Sequence, residues 1–162
     1  MLIVWALIGG TDQAQVSNSS NVVGSATITT DEENPIISQN GIHWHPQLSI
    51  RVRGTEVPIP ANIGLIGTHS PMHTHETDDI IHLEYDSVVR ESDITLGKFF
   101  EIWGKEFSET QLLENVTSDT ERVIMRVNGE INTEYENYVL RHEDEIEISF
   151  GEVGEMNETD TE

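Results

Sequence analysis

The sequence predicts an α+β fold, mainly antiparallel β-sheet with one or two short helices. Three stretches carry that prediction: a two-residue alternation over 42–53, an apolar stripe of helical period over 95–103, and an Asn-Gly pair at 128–129 between alternating runs.

In the first stretch Ile42, Trp44, Pro46, Leu48, Ile50 and Val52 share one face, and His43, His45, Gln47, Ser49, Arg51 and Arg53 share the other. A period of two is that of a half-buried strand. Pro46 has no N–H for a ladder, so an edge position or a bulge is expected there. Gly54-Thr55 then turns the chain into a short partner at Glu56–Pro60. A second strand is expected from Ile80 to Tyr85, with Ile81, Leu83 and Tyr85 inward and His82 and Glu84 outward.

From Thr95 to Trp103, Leu96, Phe99, Phe100 and Trp103 recur at helical spacing, with Thr95 placed to cap the start and Gly104 the end. In the last third, Arg122–Val127 reads as a strand and Asn128-Gly129 as a type I′ hairpin turn. Thr133 to Glu136 has the spacing of a capping box opening a helical turn, and Ile146, Ile148 and Phe150 alternate inward from Glu145. Strand, hairpin, helical turn and strand in that order make the C-terminal part β-grasp-like. Arg51-Val-Arg-Gly54 and Arg126-Val-Asn-Gly129 match closely enough to raise a distant internal duplication.

The ends differ in composition. Met1 to Gly10 holds an apolar run of eight residues, against roughly twenty needed to span a bilayer. It reads as the remnant of a secretory signal or anchor, with export expected and any membrane anchoring confined to this end. Residues 11–40 read as a polar linker with one short strand at Ala26–Ile28, residues 41–153 as a single His-rich domain, and 154–162 as an acidic disordered tail. Triplets at Asn18, Asn115 and Asn157 match the N-glycosylation acceptor pattern.

Thirty carboxylates face eight lysines and arginines, a formal charge of −22. Such a surface repels phosphate backbones and anionic lipid heads and attracts cations, so nucleic acid is not an expected partner and a metal ion is. The absence of cysteine removes thiolate ligands, iron–sulfur clusters and disulfides.

Six of the seven histidines fall between positions 43 and 82, including the pairs His43-Trp-His45 and His73-Thr-His75, while His142 stands apart. Residues i and i+2 of a strand lie on one face roughly 7 Å apart, near enough for two imidazoles to converge on one ion. His43, His45 and His82 are out of phase with the apolar set, unlike histidines of a core. The expected ligands are His73 and His75 first, then His45 and His82, then His43, with His69 last. Glu76, Asp78 and Glu84 are the candidate second shell, accepting from ring N–H groups. Imidazole donors without thiolate suit Cu or Zn first.

The blocks Gly41–Ile50, Ile59–Gly64, His73-Thr-His75 with Ile81-His-Leu-Glu84, and Thr95–Gly104 resemble a family of small, uncharacterised, secreted or membrane-anchored bacterial and archaeal proteins. Its motifs read approximately HxHxxLxI, IPAxIG, HTHDxxGxIHxE and TLGxFFxxWG. The likeness covers about residues 41 to 104 and implies a shared histidine site without naming a reaction. This chain carries Glu76 and Asp79 where the pattern usually shows Asp and Gly. The leading expectation is therefore an extracytoplasmic Cu- or Zn-binding domain. Two alternatives stand beside it: a surface or structural domain whose loops are held by metal or pH, and a metal-dependent enzyme, for which no His-Glu-x-x-His motif fixes a base.

Overall fold

The computed structural model describes residues 34–67, 69–152 and 154. The apolar run at 1–10, the possible strand at Ala26–Ile28, the Asn18 and Asn157 triplets and nearly all of the acidic tail lie outside them.

Among the described residues thirteen short strands and one α-helix follow in order: β1 (Ile36–Ser38), β2 (Ile42–Trp44), β3 (Gln47–Val52), β4 (Thr55–Glu56), β5 (Met72–His73), β6 (His82–Tyr85), β7 (Val89–Arg90), α1 (Leu96–Trp103), β8 (Phe107–Ser108), β9 (Gln111–Leu112), β10 (Asn115–Val116), β11 (Glu121–Val127), β12 (Glu130–Ile131) and β13 (Glu145–Glu152). All pairings are antiparallel except β13 with β3. This is the expected α+β class.

The largest sheet has the order β12-β11-β13-β3-β4, so two hairpins flank the central strand β13. Both hairpins turn through two residues of positive φ, Arg53-Gly54 (49° and 74°) and Asn128-Gly129 (53° and 82°). A type I′ turn needs φ above zero at both central positions, and the four-residue match between the two segments coincides with this shared turn. Inward residues Leu48, Ile50, Val123, Met125, Ile146, Ile148 and Phe150 form one buried cluster with Leu96, Phe99 and Phe100 of α1. Thr95 caps α1 by accepting from the Lys98 N–H, and Gly104 closes it in the left-handed conformation, φ 71°. Gly97 lets α1 approach the 3-10 turn Tyr135–Asn137, because a Cβ there would lie 2.7 Å from the Glu136 carbonyl oxygen.

Three local expectations are corrected. The alternating run 42–53 is two strands, broken at His45-Pro46, and its halves belong to different sheets. Proline supplies the break, while its carbonyl still accepts from the Ile81 N–H at 2.9 Å. The capping box at Thr133–Glu136 does not form. The Asn132 side chain accepts from the Glu134 N–H at 2.8 Å, and the 3-10 turn starts at Tyr135 without a side-chain cap. The folded unit also takes in part of the stretch read as linker, since β1 pairs with β7. Arg90 reaches the Asn34 carbonyl at 2.7 Å and holds that edge.

The small sheet β2-β6-β5 matters most for function. It joins the large sheet through the Gln47–Ile80 bridge and the Leu48 N–H to Asp79 carbonyl bond of 2.8 Å. Asp79 adopts φ 62° at this crossing, a conformation that Asp tolerates better than most residues.

Candidate metal centre

The register of the small sheet assembles the histidines. His43 lies opposite Glu84 across β2 and β6, and His73 lies opposite His82 across β5 and β6. His82 and Glu84 are two residues apart on β6 and share a face. Their neighbours on the other face, Ile81 and Leu83, are fully buried with Met72 in the core. The pleat therefore sends apolar side chains one way and the imidazoles the other.

Four residues make the inner part of the site. One ligand atom each from His73, His75, His82 and Glu84 lies within 4.8 Å of the others. His73 is 1% exposed, and its Nδ1 lies 3.0 Å from the Ser70 carbonyl oxygen. A carbonyl can only accept, so Nδ1 carries the proton and Nε2 offers its lone pair. That Nε2 sits 3.0 Å from the His75 Nε2. Two nitrogens bound tetrahedrally at 2.0–2.1 Å would stand about 3.3 Å apart, so a common ion requires a movement of only a few tenths of an ångström. His82 Nδ1 is buried and has no hydrogen-bond partner among the described residues, a costly state for a polar atom unless something binds it.

Thr74 fixes this geometry from between the two histidines. Its hydroxyl donates to the Pro60 carbonyl at 2.8 Å and accepts from the Ile63 N–H at 3.1 Å. Its backbone bonds Ile63 and Asn62. The His-Thr-His segment is thus pinned to the 60–63 turn by the side chain that points inward, and its two histidines are left for the other side. Gly64 keeps the turn close, because its φ is 75° and a Cβ would lie 2.6 Å from the Met72 carbonyl oxygen.

His43 and His45 form an outer group with the same Glu84, again with ligand atoms within 4.8 Å. The rings run in a continuous series. Centroids are 4.7 Å apart for His43–His45, 4.9 Å for His45–His82, 4.5 Å for His75–His82 and 5.2 Å for His69–His73. Burial lowers the pKa of both His73 and His82, and neighbouring imidazoles push the same way. At His73 the Ser70 hydrogen bond opposes the shift, and at His82 the Glu84 carboxylate does. Both rings are therefore neutral at pH 7, the state a metal needs.

Of the six histidines expected as ligands, His43, His45, His73, His75 and His82 lie in the two groups that share Glu84. Glu84, expected behind the ligands, stands among them. Glu76 and Asp78 are exposed and belong to neither group, and the nearer role of Asp78 is to accept from the Ile80 N–H at 3.3 Å. His69 is exposed beside His73 and also belongs to neither group. His142 was missed: its Nδ1 accepts from the His45 N–H at 3.3 Å, with the rings 6.0 Å apart. It arrives because β13 runs parallel to β3, which sets the residues before one strand beside those before the other. No local pattern in the sequence signals that pairing.

The patch is a His/Glu group able to hold a metal ion. A scan against models of known protein families gives no match, and no curated protein or solved structure matches the chain.

Proposed function

We propose that this chain is an extracytoplasmic domain that binds a transition-metal ion, Cu or Zn, through His73, His75 and His82 with Glu84. The observation that carries the reading is the convergence of the His73 and His75 Nε2 atoms at 3.0 Å beside a buried His82 nitrogen that lacks a partner among the described residues. Neutral imidazoles and one carboxylate fit either metal. The anionic surface raises the local concentration of cations, and the likeness of the 41–104 blocks to exported proteins supports the location.

His73 donates to the Ser70 carbonyl, and Thr74 beside it is fastened to the Pro60 carbonyl and the Ile63 N–H. This favours a preformed binding site over a metal that is needed to fold the chain. The test is elemental analysis and calorimetric titration with Cu²⁺ and Zn²⁺ on protein prepared without a histidine tag. A folded metal-free form that takes up metal, and His73→Ala and His75→Ala variants that lose it, is the expected result. Wild-type protein that binds neither ion would end the proposal.

A further inference from the structure

The geometry points to a two-metal centre in which Glu84 bridges an inner and an outer transition-metal ion. This inference rests on the metal-binding reading above and extends it to a second ion held by His43 and His45. Glu84 is the member common to both ligand groups. Its Oε1 lies 3.4 Å from His43 Nε2 and 3.7 Å from His82 Nδ1. Both exceed the 2.7–3.2 Å of an N–H···O hydrogen bond. They are close to the separation of about 3.4 Å between two ligand atoms on one tetrahedral ion. A carboxylate offers two oxygens and about four lone-pair directions, enough to serve an ion on either side. In two-metal sites the ions stand roughly 3.5–4 Å apart.

The two positions differ in kind. The inner one has three imidazoles and a carboxylate, a full tetrahedral set, and includes the buried His73. The outer one has two imidazoles and the shared carboxylate, which leaves a coordination position for water or a small anion. It is also the more open of the two, with the His43 side chain 67% exposed where the inner set has His73 at 1%. The inner ion is therefore retained, and the outer ion exchanges and can take an added ligand.

The experiment uses the full chain without a tag, stripped by chelator and titrated with Cu²⁺ while paramagnetic resonance counts the spins. Two equivalents are expected, the first bound at least tenfold more tightly. At two equivalents a dipolar-coupled spectrum with a half-field transition should appear. His43→Ala, a change at an exposed side chain, should reduce capacity to one equivalent and leave an uncoupled spectrum. A wild-type capacity of one equivalent overturns the bridge and leaves the single-metal reading standing. Two equivalents without coupling, or two retained in His43→Ala, also overturn it. No uptake at all overturns both readings.

Discussion

Thr74 offers the sharpest test of how the site is held. Thr74→Val keeps the shape of the side chain and removes one hydroxyl that makes two hydrogen bonds. The position is 1% exposed, so water does not replace what is lost. The buried Ile63 N–H is left without its acceptor, at a cost of about 1–3 kcal/mol, and the Pro60 carbonyl loses a bond worth about 1 kcal/mol. The sum is about 2–4 kcal/mol, or about 8–16 °C in Tm at about 4 °C per kcal/mol for a domain of this size. Thr74→Ser keeps the hydroxyl and should lose only about 1 kcal/mol, for the missing methyl. Urea denaturation of the metal-free protein measures both, and metal titration of the valine variant should show weakened binding as the His-Thr-His segment loosens. A valine variant within 0.5 kcal/mol of wild type would refute the claim that this hydroxyl anchors the ligands.

Two further perturbations follow from the same geometry. The folded-state pKa values of His73 and His82 lie below those of the unfolded chain, so below about pH 6.5 the unfolded chain takes up protons that the fold refuses. Metal-free stability should therefore be full above that pH and fall as pH drops toward the lowered values, by at most about 1.4 kcal/mol per pH unit for each ring. Urea midpoints between pH 7.5 and 5.5 check this, and a flat profile across that window would contradict the burial argument. Gly97→Ala sets helix propensity, which favours Ala by about 1 kcal/mol, against a Cβ placed 2.7 Å from a backbone oxygen. The clash is with main chain and should win, so the variant should melt lower than wild type; a higher Tm would show that α1 and the 135–137 turn part freely.

Much of this structure was legible because its signals are local. The period of two placed His43, His82 and Glu84 on the face away from Ile81 and Leu83, and the caps at Thr95 and Gly104 bound α1 as expected. What escaped depends on contacts between distant segments. The parallel β13–β3 pair brings His142 to His45, and nothing near either residue encodes it. The place of Glu84 among the histidines depends on which strands flank β6, since β2 on one side and β5 on the other give it histidines from both. Alternation reveals the face that a carboxylate occupies but not its neighbours. The break at Pro46 was legible as an irregularity, whereas the separation of its two halves into different sheets was not. In place of the capping box, the Asn132 side chain accepts from the Glu134 N–H and the turn starts two residues later than expected, at Tyr135.

The charge of the chain and the burial of the site act against each other, and the balance decides whether imidazoles can serve as ligands here. The chain carries a formal charge of −22; a carboxylate near an imidazole favours its protonated form, and a protonated ring binds no metal. At His73 and His82 desolvation is the largest influence and lowers the pKa despite the adjacent Glu84. Removing these two rings from water is thus what keeps their lone pairs available inside an acidic protein. The 60–63 turn, fastened by Thr74, and the Ser70 carbonyl hold the buried ring in place. Given that cover, the surrounding carboxylates can concentrate cations outside without protonating the donors within. The acidic surface and the histidine patch are compatible because the sheet buries His73 and half-buries His82.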